Sequence, residues 1–130
     1  MNSKTAALII GFTFIAVGVI GFTGNPLVGN NAIFHTDVIH NMVHVISGVL
    51  FVLVALASPG NIRGFMKLFG IIYFLLGVIG FMVIGSEGMT VLLGFLHING
   101  PDNYLHVALG VVIFLAGMYT RHTTTVSKSY

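Results

Sequence analysis

The stretch "HTDVIHNMVHVISGVLFVLVALA", residues 35–57, decides the fold. A polar opening with three histidines and an asparagine leads into Val38 to Ala57, a run without a single Asp, Glu, Lys or Arg. A bilayer's hydrocarbon core takes about 20 consecutive, mostly apolar residues as one helix, and this run has that length. Three further stretches match it: Thr5 to Thr23, Phe65 to Ile84 and Pro101 to Tyr119. The composition agrees, because 56% apolar and 6% charged residues lie far from the balance of a water-soluble domain.

Open strand edges cannot face lipid, and the four stretches lack the period-two alternation of a membrane barrel, so helices remain. The expected fold is an all-α integral membrane four-helix bundle. It forms a single domain over residues 1–122, followed by a polar cytoplasmic tail over 123–130. With no cysteine in the chain, thiolate metal sites, iron–sulfur clusters and thiol nucleophiles are excluded. A net charge of +2 offers no footprint for nucleic acid.

Orientation follows from the few charges. Lys4, Arg63, Lys67, Arg121 and Lys128 fall toward one side, while Asp37, Glu87 and Asp102 fall toward the other. The positive-inside rule then makes both termini cytoplasmic and the histidines outward-facing, in a bacterial inner membrane. Helix 1 has the basic start of a signal peptide, but no clean small-x-small cleavage site ends it, so it is read as retained.

The chain also repeats itself. "GFTFIAVGVIGF" from Gly11 overlies "GIIYFLLGVIGF" from Gly70, and "HTDVIHNMVHVISGV" from His35 overlies "HINGPDNYLHVALGV" from His97. Two hairpins, 5–57 and 65–119, are therefore expected around a pseudo-two-fold axis along the membrane normal. Small residues stand seven apart on every helix: Gly11 and Gly18, Gly48 and Ala55, Gly70 and Gly77, Gly110 and Gly117. That spacing keeps one seam toward the neighbours and predicts left-handed packing with close backbones. Pro101 and Asp102 suit the first turn of helix 4, and Thr36 or Asp37 can cap helix 2.

The same stripes point Asn41 and His44 inward from helix 2, and Asn103 and His106 inward from helix 4. His40 stands four residues before His44, and Asp102 four before His106, each pair on one helical face. Three chemistries compete for this constellation. His40, His44, Asp102 and His106 make a three-imidazole, one-carboxylate set for a divalent transition metal, with Asn41 and Asn103 orienting the imidazoles. His44 and His106, flanked by Asn41 and Asn103, are alternatively a cofactor site, above all bis-imidazole ligands of haem b, although Phe51 and Ile113 crowd the same stripes. The bland reading is that the Asn and His side chains hydrogen-bond across the axis and bind nothing. His35 and His97, just outside the spans, are expected as solvated loop histidines, and Met42 as lipid-facing filler.

On these residues the chain resembles a family of small bacterial membrane proteins known only as domain of unknown function 4383. The matching motifs are "HN-x-x-H" opening helix 2 (His40, Asn41, His44), "D-x-x-x-H" opening helix 4 (Asp102, His106), and "LLGFLHING" at residues 92–100 before helix 4. The chain departs from the family in carrying Tyr104 where Trp is usual and in its short first outer loop. The resemblance implies four spans and the same polar stripe, and it implies no activity. The function expected from the sequence is a non-enzymatic accessory or assembly subunit of a larger membrane complex or homo-oligomer, with the lipid bilayer and other membrane subunits as partners. The alternative is a metal- or haem-binding protein using the histidine-rich site near the outer face.

Overall fold

The computed structural model describes residues 1–123; the tail expected over 123–130 falls, from residue 124 on and with Lys128, outside the described residues. Four helices carry the fold: α1 (Ser3–Ile20), α2 (Val38–Ala57), α3 (Ile62–Ile84) and α4 (Gly100–Tyr119), with a 3₁₀ turn at Pro59–Asn61 leading into α3. At 1.5 Å per residue they are about 27 to 35 Å long, which matches a hydrocarbon core of about 30 Å. Each is long and apolar enough to cross a membrane.

Local chemistry sets the helix ends. The Asn2 side chain accepts the Thr5 N–H at 2.8 Å to start α1, and Asp37 Oδ1 accepts the His40 N–H at 2.9 Å to start α2. Asn99 and Asp102 form a reciprocal capping box on α4, with Pro101 in the first turn. These side chains satisfy N–H groups that a helix cannot pair internally. α1 stops at Ile20 rather than at the expected Thr23. Thr23 Oγ1 and Asn25 Nδ2 both donate to the Ile20 carbonyl, at 2.7 and 2.9 Å, and Asn25 Oδ1 accepts the N–H groups of Leu27 and Val28. Short polar side chains here outcompete another helical turn.

The helices pair most closely within hairpins, α1 with α2 and α3 with α4. Glycine makes that approach possible. A Cβ on Gly11 would lie 2.9 Å from the Gly48 carbonyl oxygen, and one on Gly70 would lie 2.6 Å from the Phe114 backbone nitrogen. Between the hairpins, Phe14, Phe51, Met66, Tyr73 and Ile113 form the buried core, with Phe65 and Phe69 packed against it. Large apolar side chains such as Phe12, Leu53, Leu68, Leu75 and Val112 point outward and stay exposed. Such a surface suits acyl chains and would drive association in water.

One end of the bundle gathers the termini. The Ser3 N–H donates to the Arg121 carbonyl at 2.8 Å, and Arg63 Nε donates to the Gly117 carbonyl at 2.9 Å, with Nη2 reaching the Met118 carbonyl. Arg63 thereby serves the unpaired carbonyls that end α4. The opposite, loop end carries two small strand pairs absent from the all-α expectation, so the fold is mostly rather than wholly helical. β1 (Val28–Gly29) runs parallel to β2 (Phe34–His35), and β3 (Met89–Leu92) runs antiparallel to β4 (Leu96–Asn99). The two connections are tied together where Asn99 Nδ2 donates to the Ile33 carbonyl at 2.9 Å.

Candidate metal centre

The β3–β4 hairpin fits the loop end by alternation. Leu96 and Ile98 turn inward with Leu92, packing on Val43, Leu76 and Ile84. His97 between them turns its side chain out, while its backbone carbonyl is left to accept His40 Nδ1–H at 2.7 Å. A carbonyl can only accept, so the His40 proton sits on Nδ1 and the Nε2 lone pair stays free for a ligand or a proton. Metal-binding histidines are commonly held by this arrangement, the second ring nitrogen donating to a backbone carbonyl.

Beneath that bond, α2 and α4 bring three imidazoles together. His40, His44 and His106 are all buried, and one ligand atom from each lies within 4.8 Å of the other two. The His40 ring centroid stands 4.6 Å from that of His44 and 5.7 Å from that of His106. Nδ1 of His44 and Nδ1 of His106 are buried without a hydrogen-bond partner. A bare buried polar atom costs roughly 1–3 kcal/mol, so the layer holds uncompensated polarity that an added ligand would satisfy. Three nitrogens on one tetrahedral ion, with metal–nitrogen bonds of about 2.0–2.1 Å, sit roughly 3.3 Å apart. Closing the triad onto an ion therefore requires under about 1 Å of movement per ring.

The other residues singled out in the sequence take different posts. Asp102 is buried four residues before His106, but its Oδ2 accepts the Asn99 N–H at 2.8 Å as part of the α4 cap, and among the described residues it is not in the three-histidine group. Asn41 Oδ1 accepts the Thr36 hydroxyl at 2.6 Å, and Asn103 Nδ2 donates to the Gly85 carbonyl at 2.9 Å. The two asparagines thus tie α2 to the segment before it and α4 to the end of α3, and neither is seen to hold an imidazole. Of the two candidate caps for α2, Asp37 does the capping and Thr36 orients Asn41.

His35 departs from expectation: it is only 7% exposed, because β2, which carries it, packs against β4 and the start of α4. Its Nδ1 has no partner, and its ring lies 5.9 Å from that of His97. Burial, with His97 alongside, pulls the His35 imidazole below its usual range against an opposing pull from Asp37. His97 keeps a half-exposed side chain, its Nε2 3.7 Å from Asp37 Oδ2. The alternation of "MTVL" and "LHIN" around Gly94 was the sequence signal for this hairpin, but four residues per strand made it easy to pass over.

The floor of the triad is aromatic. Phe14 meets His44 edge-on at 5.9 Å, and Tyr73 meets His106 at 5.8 Å. Tyr73 is buried, its Oη 3.4 Å from Ser47 Oγ, whereas Tyr104 and Tyr119 face outward. A haem needs a flat slot between its two axial imidazoles. Here a third imidazole, His40, stands in the same reach, and Phe14, Phe51 and Tyr73 close the space below. The site suits a bare ion better than a macrocycle.

The model of the family described as Domain of unknown function (DUF4383) matches residues 4–119, and the chain belongs to that family. No curated protein matches the chain significantly, nor does any solved structure.

Proposed function

We propose that this member of the DUF4383 family is a small membrane protein that binds a transition-metal ion, Zn²⁺ or another borderline divalent cation, through His40, His44 and His106. What carries the proposal is the buried meeting of three imidazoles within 4.8 Å, two of them with an unpaired ring nitrogen. Imidazole is a good donor for zinc, copper, nickel and iron, and three such ligands leave a fourth position for water or a transferred group. His40 is pre-oriented by the His97 carbonyl, while His44 and His106 are positioned by aromatic packing. The chain would act as a metal-handling rather than a catalytic protein.

The same proposal includes the orientation and the duplication. Lys4, Arg63, Lys67 and Arg121 gather at the terminal end and Asp37, Glu87 and Asp102 at the loop end, which favours cytoplasmic termini in an inner membrane. Matched contacts support two repeats over 5–57 and 65–119, and the seven-residue spacing of small residues on each helix favours left-handed packing. Gly21 abuts the Asn41 side chain as Gly80 abuts that of Asn103, and Gly11 meets Gly48 as Gly70 meets Gly110.

The test is metal content. Purified in mild detergent, the chain should carry close to one equivalent of metal by mass spectrometry, without a haem band in the visible spectrum, and the His44→Ala, His106→Ala double variant should lose it while remaining helical. A stable protein that is metal-free as isolated and takes up no added Zn²⁺ or Co²⁺ would overturn the proposal. The histidines would then be packing, and the chain an accessory or assembly subunit to be sought with stoichiometric partners.

A further inference from the structure

The outer seam of the second hairpin carries a groove of about 240 Å³ where α3 and α4 meet at Gly70 and Gly110, walled by Ile71 and Phe74 on one side and by Val111 and Leu115 on the other. The lining presents no polar atom, and the four wall residues are exposed. Toward the terminal end the groove changes character. Lys67 stands four residues before Ile71 and seven before Phe74, so the three share one face of α3. Its stem lies against α4, since a Cβ on Gly117 would fall 2.8 Å from Lys67 Cγ. Long helical side chains lean toward the helix N-terminus, which directs the Lys67 ammonium out of the groove toward the polar end of the bundle. On the other wall, α4 ends at Tyr119 and Arg121 follows, exposed. Its backbone is held by Met1 and Ser3, the Arg121 N–H donating to the Met1 carbonyl at 3.2 Å and its carbonyl accepting the Ser3 N–H at 2.8 Å. Neither cation has an acidic partner among the described residues. Asp37, Glu87 and Asp102 all lie at the loop end, where Asp37 and His97 make the one ion pair.

We propose that this seam binds one anionic phospholipid, with an acyl chain in the α3–α4 groove and the phosphate between Lys67 and Arg121. The inference is independent of the histidine triad, which lies toward the other end of the bundle. A phosphodiester offers two oxygens sharing a negative charge, which a guanidinium fork and a compact ammonium both recognise. Lys67 lies about 6 Å along the helix axis from Ile71, so the occupant must join a charged head to an apolar body, as a lipid does and an acidic protein segment does not. Lys67 can meet that head while its methylenes stay against α4. A zwitterionic lipid also fills the groove, but its own cation opposes Lys67 and Arg121, and anionic lipid is therefore preferred. Only the second hairpin has this arrangement. When Gly11 overlies Gly70, Lys67 falls on Leu8, and hairpin 1 has no cation at that position.

Native mass spectrometry of the full chain in mild detergent, titrated with phosphatidylglycerol or with phosphatidylcholine of the same acyl chains, tests the site. Wild type should retain one phosphatidylglycerol at least fivefold more tightly than phosphatidylcholine. The Lys67→Gln, Arg121→Gln variant should lose that preference with phosphatidylcholine binding within twofold of wild type, and Lys67→Arg should keep it. Ile71→Trp, which fills the groove without touching the charges, should weaken both lipids at least threefold. Lys4→Gln removes a cation from the same end but outside the α3–α4 seam, and should leave the preference within twofold. Circular dichroism should show wild-type helix content in every variant. Equal affinity for the two lipids in wild type would overturn the proposal, and so would a loss from Lys4→Gln as large as that from Lys67→Gln, which would reduce the preference to diffuse charge. A wild-type dimer that excludes lipid and is broken by Ile71→Trp would put a second copy in the groove and overturn it as well.

Discussion

Gly70 and Gly64 lie on the same helix and should respond to alanine in opposite ways. A Cβ on Gly70 would meet Phe114 N at 2.6 Å, Phe114 Cβ at 2.7 Å and Gly110 O at 2.8 Å, whereas one on Gly64 meets nothing within 4 Å. Ordinary contacts of this kind lie at about 3.5–4 Å, so α3 and α4 must part by roughly 0.7–1 Å to admit the methyl group. A gap of that size forfeits a quarter to a half of each contact's attraction of about 0.1–0.2 kcal/mol. With roughly 20 to 30 atom pairs along the seam, the loss is on the order of 0.5–3 kcal/mol, which overlaps the usual range of about 1–3 kcal/mol for overpacking. Lipid offers no hydrophobic compensation between helices, because acyl chains are as apolar as the seam itself. Gly64→Ala should instead be neutral or stabilising by up to about 1 kcal/mol through helix propensity. Reversible unfolding of both variants in mixed detergent and dodecyl sulfate, followed by circular dichroism, measures the difference. Equal midpoints for Gly70→Ala and Gly64→Ala would refute the close backbone seam on which the hairpin description rests.

Asp102 is a cap in the structure, so Asp102→Ala should cost about 1 kcal/mol of stability and change Zn²⁺ affinity by only a few-fold; a loss of a hundredfold or more, by competition with a chelator, would make it a ligand instead. His35 predicts a pH dependence. Its folded value lies below the ordinary His value of about 6.5, so on acidification the unfolded chain takes up a proton that the folded chain refuses, and stability falls below about pH 6.5. In metal-free His35→Gln protein that part of the fall should vanish; an unchanged profile against wild type would show that His35 is freely protonated beside His97 and Asp37.

The four helices could be read from residue order because each depends on near neighbours. Apolar runs of bilayer length, a cap at Thr36 or Asp37, Pro101 in a first turn and small residues seven apart are all local patterns, and periodicity alone turns Asn41, His44, Asn103 and His106 inward. The sequence also named all three histidines of the triad among its four candidate ligands, since four-residue spacing puts His40 and His44 on one face and the matched stripe puts His106 opposite. What it could not decide is what each polar group bonds to. Asp102 had two uses available, ligand or first-turn acid, and in the structure its carboxylate accepts the Asn99 N–H at 2.8 Å in a capping box. His35 is a loop residue by position, yet it is buried because β2, which carries it, packs against β4 and the start of α4, far away in the chain and tied to it by Asn99 and Ile33. The proton of His40 is placed by a carbonyl 57 residues away. Helical faces follow from spacing, because backbone geometry repeats every turn. The partners at the loop end depend on how short, weakly patterned segments pack over the helix ends, and that arrangement exists only once the chain has folded.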